Sequence, residues 1–165
     1  MDRPYVAENN RVVRFPYMNG MLAATGEPEV VVPNLPQGAG RLPGRGHWTR
    51  DVAFSPDGVG MFVSVGSYSN AQTEGEDETN RAAILAFDPN GTFWGMTATG
   101  MRNPVSLAFS PLNGALWATN TESLTKSSQR GATSANTGAS LTILFEIPVS
   151  DATKRGIGIS GLTSE

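Results

Sequence analysis

The chain has 165 residues, 39% of them hydrophobic and 16% charged, with 19 Gly, 11 Pro and no Cys. Its net charge of −3 argues against a nucleic-acid footprint, and the absence of Cys removes disulfides, thiolate metal sites and cysteine nucleophiles. A single histidine, His47, excludes multi-histidine metal centres; no apolar run reaches the roughly 18 residues of a membrane span, and residues 1–20 lack the apolar core of a signal peptide.

Glycine and proline together exceed the roughly 12% of average usage, which implies many turns and therefore many short elements. Helical periodicity is almost absent. Instead, β-branched and aromatic runs recur between Pro-Asp-Gly and Asn-Gly signals. In chain order, Arg11–Tyr17 reads as a strand ending at Met18-Asn19-Gly20, and Glu29–Val32 as another closed by Pro33. A Gly/Pro-rich connection over residues 34–46 leads to His47. Arg50–Phe54 runs into Ser55-Pro56-Asp57-Gly58, with Met61–Val65 as its hairpin partner. The acidic run Glu74, Glu76, Asp77 and Glu78 lacks the ligand spacing of a calcium loop and reads as solvated. Ala83–Phe87 runs into Asp88-Pro89-Asn90-Gly91 and Thr92–Met96, then Val105–Phe109 into Ser110–Gly114 and Ala115–Ala118. Residues 121–140 hold nine Ser/Thr and are expected to be poorly ordered; Leu141–Pro148 offers one more strand, and residues 141–165 otherwise read as a frayed tail. Strands spaced this closely by turns define an antiparallel all-β fold.

The chain also repeats itself. Val52-Ala53-Phe54-Ser55-Pro56 matches Leu107-Ala108-Phe109-Ser110-Pro111, and Val12–Gly20 resembles Ile84–Gly91. Units of about 45–55 residues built from four strands are the signature of a β-propeller blade, so residues 1–120 are expected to form about three four-stranded blades. A larger ring needs more, and the chain reads as a piece of one or as a short variant. Sliding Phe54 onto Phe109 places His47 on Arg102 and Trp48 on Asn103, where a loop enters the leading strand of each unit. Equivalent loops of successive blades would converge on one mouth. There an imidazole accepts a proton near neutral pH, and a guanidinium donates to a carboxylate or a developing oxyanion. His47 reads equally as a structural histidine, and Asn103-Pro104 equally as a turn initiator. Trp48, Trp94 and Trp117 read as packing residues or channel walls.

Gly46-His47-Trp48-Thr49-Arg50-Asp51-Val52-Ala53-Phe54-Ser55-Pro56-Asp57-Gly58 with Phe62–Ser67, Arg81–Leu85 with Asp88–Gly91, and Gly100–Pro104 with Leu107–Phe109 resemble, in order, the glucose/sorbosone dehydrogenase family. The resemblance covers about residues 5–120. It implies a six-bladed propeller, the cofactor pyrroloquinoline quinone with calcium beside it, a sugar substrate and an external electron acceptor. It further implies a periplasmic or secreted parent protein. By the same resemblance His47 is the general base, and Arg102 and Asn103 hydrogen-bond the reacting quinone carbonyl and its neighbour. Ser67 stands where an Asp often orients the base, which makes Asp51 the candidate for that task. The family's calcium-holding stretch has no counterpart in residues 121–140, so no metal ligand is assigned, and the isolated chain is expected to bind the quinone weakly or not at all and to be inactive by itself. Two rival readings stand beside this one. A calcium-dependent lactonase-like propeller would draw on Asp51, Asn70 and Asn103, and a non-enzymatic scaffold would present its loops to a partner.

Overall fold

The computed structural model describes residues 3–37, 46–69, 77–123 and 140–147. Among them run ten strands: β1 (Tyr5–Ala7), β2 (Val12–Arg14), β3 (Glu29–Val32), β4 (Val52–Phe54), β5 (Met61–Val65), β6 (Ala83–Phe87), β7 (Phe93–Thr99), β8 (Pro104–Phe109), β9 (Leu116–Ser123) and β10 (Ser140–Ile147). They form three antiparallel sheets, ordered β1-β2-β3, β4-β5-β6-β7 and β10-β9-β8.

The middle sheet explains the layering. Every residue of β5 and β6 is buried, so these strands are covered on both faces and read in sequence as unbroken apolar runs. Side chains alternate across a strand. Met61, Val63, Val65, Ala83, Leu85 and Phe87 accordingly share one apolar cluster with Val12, Val31, Val32 and Leu35 around the first sheet. Phe62, Ile84 and Ala86 share the other with Leu107, Leu116, Ala118 and Ile147 of the third sheet. Each such large side chain, moved out of water, contributes roughly 1.5–3 kcal/mol. Phe62 meets Phe109 edge-on at 5.4 Å between ring centroids, which fixes the spacing of these two layers.

The turn signals act as expected. The Gly58 N–H donates to the Ser55 carbonyl at 2.8 Å, Gly91 to Asp88 at 3.0 Å and Gly114 to Ser110 at 2.9 Å. Gly91 has a second task. Its φ is +93°, and a Cβ there would lie 1.9 Å from the Val31 carbonyl oxygen, so only glycine lets the β6–β7 turn dock on β3. Nearby, Tyr5 donates its hydroxyl to the Pro89 carbonyl at 3.0 Å. Arg14 grips Glu29 through two 2.7 Å bonds and reaches Asn90 Oδ1 at 3.1 Å. These contacts tie the first sheet to the middle one.

All-β antiparallel structure is what the turn spacing demands, and Glu29–Val32, Met61–Val65 and Ala83–Phe87 have the strand bounds read from sequence. The propeller expectation is corrected. The described sheets are three separate ones of three, four and three strands, with no closed sheet, and only the middle sheet has the four strands expected of a blade. The physical reason is that the repeat marks reuse of one hairpin, β4–β5 and again β8–β9. A reused hairpin specifies a strand pair and its turn, not the number of strands in a sheet or closure of a ring. Strand β9 runs on to Ser123 and β10 begins at Ser140, so both ends of the Ser/Thr-rich stretch are paired; residues 124–139 and 148–165 lie outside the described residues. Among the described residues no helix is long and apolar enough to cross a membrane.

Candidate functional site

One end of the middle and third sheets gathers the chemistry. His47 precedes β4, Gly66 and Ser67 follow β5, Arg81 precedes β6, and Arg102 and Asn103 precede β8. The Ser67 N–H donates to the Arg102 carbonyl at 2.8 Å, which fastens the end of β5 to the entry of β8. Asn120 of β9, buried, accepts the Asn103 N–H on Oδ1 at 2.8 Å, and the Thr121 N–H donates to the Asn103 carbonyl at 2.9 Å. Pro104, which lacks a donor, can open β8 because it is the first residue of an edge strand.

His47 is 6% exposed. Its Nδ1 lies 3.0 Å from the Ser67 carbonyl oxygen and 3.1 Å from Ser67 Oγ. A carbonyl only accepts, and the Ser67 hydroxyl donates to the Ser69 carbonyl at 2.8 Å. Both contacts therefore require the proton on Nδ1, and the neutral ring keeps its lone pair on Nε2. Ser67 is the orienting partner of the imidazole. Asp51 is not: its Oδ1 accepts the Val52 N–H at 2.9 Å and its Oδ2 the Leu107 N–H at 2.6 Å, which spends the carboxylate on joining β4 to β8.

Gly66 brings His47 and Asn103 together. A Cβ at this position would lie 2.3 Å from His47 Cβ and 2.8 Å from Asn103 Oδ1, so both side chains press on bare backbone. Asn103 Oδ1 is buried and has no hydrogen-bond partner. Arg102 shares the junction through its backbone, while its guanidinium donates from Nη1 to the Thr121 carbonyl at 3.1 Å. The structure thus collects His47, Asn103 and the backbone of Arg102 at one place.

Two further cations were not singled out in the sequence. Arg50 donates to the carbonyls of His47 at 3.1 Å and Thr49 at 2.8 Å, and also to that of Pro36. Burial, then the charge of Arg81, pushes Arg50 down to about 10, below the ordinary guanidinium range. Arg81 lies over the Tyr68 ring at 5.2 Å, and Glu78 Oε1 accepts the Tyr68 N–H at 2.8 Å. The available signal for Arg50 was its place three residues after His47, on a loop with carbonyls to satisfy.

Among the described residues no three His, Asp or Glu side chains gather as metal ligands. Of the lactonase-like set, Asp51 is committed to the backbone, and Asn70 lies outside the described residues. Glu74 and Glu76 also lie outside them, and Asp77 is exposed. Trp48 is 45% exposed, whereas Trp94 packs against the second apolar cluster.

Fold and site together define an antiparallel multi-sheet protein with a buried imidazole and an amide held at one sheet end. The chain belongs to the TrAA12-like family, whose model matches residues 2–154. It is similar in fold to two solved structures of a Trichoderma reesei carbohydrate-active enzyme of family AA12. The calcium structure is 18% identical, covers 92% of this chain and 39% of that one, and has a TM-score of 0.62. For the iodide structure the values are 22%, 73%, 31% and 0.59. This chain thus spans between 31% and 39% of the length of those chains. No curated protein matches it. The resemblance to the glucose/sorbosone dehydrogenase family is corrected by the family match. Its motifs are mostly hairpin turns and the apolar strands beside them, which local geometry imposes on any chain using the same hairpin.

Proposed function

We propose that this chain supplies the proton-accepting part of a site that oxidises a carbohydrate hydroxyl, with pyrroloquinoline quinone as its cofactor. The observation that carries the reading is the proton placement at His47: Nδ1–H is committed to Ser67, so Nε2 is the basic nitrogen. Membership of the TrAA12-like family, with relatives titled carbohydrate-active enzymes, supports the substrate class. The residues fit a quinone at one point. Asn103 has a buried amide end without a partner beside the imidazole, and a half-turn of that amide offers an N–H to a carbonyl oxygen. When bound, the quinone supplies the hydride acceptor.

The chain's own groups divide the remaining work. His47 Nε2 takes the substrate hydroxyl proton, which lowers the cost of forming an alkoxide-like oxygen. Ser67 holds the ring in the tautomer that can do this. Asn103 would offer its amide N–H to a bound quinone, where a donor stabilises developing negative charge, and the Arg102 backbone fastens that junction to Ser67.

The test is dye reduction with quinone, calcium and a panel of aldoses by the unaltered protein and by His47→Ala. The expected result is quinone-dependent turnover that falls by roughly 10²–10⁴-fold in the variant, the usual range for loss of a general base. Turnover that ignores quinone, or that survives in the variant, would overturn the reading.

A further inference from the structure

Of the eleven Asn in the chain, only Asn90 opens a triplet with Thr or Ser in third place and a residue other than Pro between: Asn90-Gly91-Thr92. Such a triplet is the acceptor signal for an N-linked glycan, and it carries weight only on an exposed loop. Asn19 and Asn113 also precede Gly in turns, but Met21 and Ala115 stand where the signal needs a hydroxyl.

The fold places this one triplet at the tip of the β6–β7 hairpin. Asn90 and Thr92 are both exposed, and β7 is the outer strand of its sheet. The tip holds its shape from within, because Asp88 Oδ1 accepts the N–H groups of both Asn90 and Thr92. The Asn90 amide is oriented as well. Its Oδ1 accepts from Arg14 Nη1 at 3.1 Å, and a guanidinium offers only donors, so the oxygen is the end that faces the first sheet. The other end, Nδ2, is the atom that carries a glycan, and no acceptor among the described residues engages it. A sugar attached there breaks no hydrogen bond of the fold, and Oδ1 keeps its bond to Arg14.

We propose that Asn90 is an acceptor for an N-linked glycan, which stands off the β6–β7 turn. The donor is an oligosaccharide carried on a lipid pyrophosphate. Asn90 Nδ2 forms a bond to C1 of the terminal N-acetylglucosamine, and the bond from C1 to the pyrophosphate oxygen breaks. The lipid pyrophosphate leaves, and the amide gives up one of its two protons. The inference does not depend on His47 being a base.

The test is production in a eukaryotic host behind a secretory leader, with mass spectrometry before and after an amidase that removes N-glycans and leaves Asp at the attachment point. Both the exported and the cell-associated protein are measured, so a variant that folds or travels poorly is still read. The expected result is one glycan, mapped by its peptide to Asn90, with Asn19 and Asn113 bare. Thr92→Ala, which leaves Asn90 in place and removes only the hydroxyl, is expected to abolish the modification. Thr92→Ser, which restores a hydroxyl, is expected to retain it. No glycan on the unaltered protein in either fraction overturns the proposal. So does a glycan that survives Thr92→Ala, or a Thr92→Ser variant as bare as Thr92→Ala.

Discussion

Asp51 stands four residues beyond His47, and each of its carboxylate oxygens serves a different strand. The distinction between oxygens makes a sharp test. Asp51→Ala is expected to cost about 1.5–3 kcal/mol in urea unfolding, the range for hydrogen bonds to a charged group. Asp51→Asn should cost nearly as much, because its amide keeps one acceptor and turns an N–H₂ toward a backbone donor. An Asn variant as stable as the unaltered chain would show that only one of the two bonds matters. Sequence register aligned His47 with Arg102 and Trp48 with Asn103, since a repeated hairpin carries its flanking loops with it. It could not find Ser67 as the ring's partner. An Asp and a Ser are both plausible there, and the choice depends on how Gly66 lets the end of β5 approach the loop. Arg50 and Arg81 were passed over for a related reason: a lone arginine looks solvated until its burial is known.

At the scale of elements, the β6–β7 turn is held by Asp88, whose Oδ1 accepts the N–H of Asn90 at 2.8 Å and of Thr92 at 2.9 Å. Burial raises the proton affinity of this carboxyl, but the bonds from Thr92, Asn90 and Gly91 together outweigh it and hold the group below its ordinary 3.8. A depressed folded value means the ionised form stabilises the fold. That contribution is full above the ordinary value and is lost as the pH falls through the folded one. Stability measured from about pH 6 down to about pH 2.5 should therefore decline less steeply in Asp88→Asn than in the unaltered chain. Identical pH profiles would remove Asp88 from the turn's stability. Most elements were legible in this way, as apolar runs closed by Pro-Asp-Gly or Asn-Gly. The exception is β1, three residues after Pro4, too short for any period to register. Strand β7 continues to Thr99 and β9 to Ser123, past the last apolar residue of each pattern, because backbone pairing with β6 and β10 continues there.

For the whole molecule, the two apolar clusters lie on opposite faces of the middle sheet, and Phe62 is the largest fully buried side chain among the described residues. Phe62→Ala removes its ring from between the middle and third sheets and is expected to cost about 3–5 kcal/mol, the sum of lost transfer and a cavity that cannot fully collapse. Val12→Ala, on the opposite seam, should cost less because it removes fewer atoms. Equal urea midpoints for Phe62→Ala and the unaltered chain would show that the layers do not depend on this contact. The number of strands per sheet and the order of layers could not be read from sequence, since alternation says that a strand has two dry faces but not which neighbour dries them.

The bond from Ser67 to Arg102 and the squeeze at Gly66 bridge two layers, with the imidazole anchored on one and the amide on the other. The gap between those groups is consequently set by the thickness of the hydrocarbon filling several residues away. A change of one methylene in that filling would retune the mouth without touching any polar atom in it.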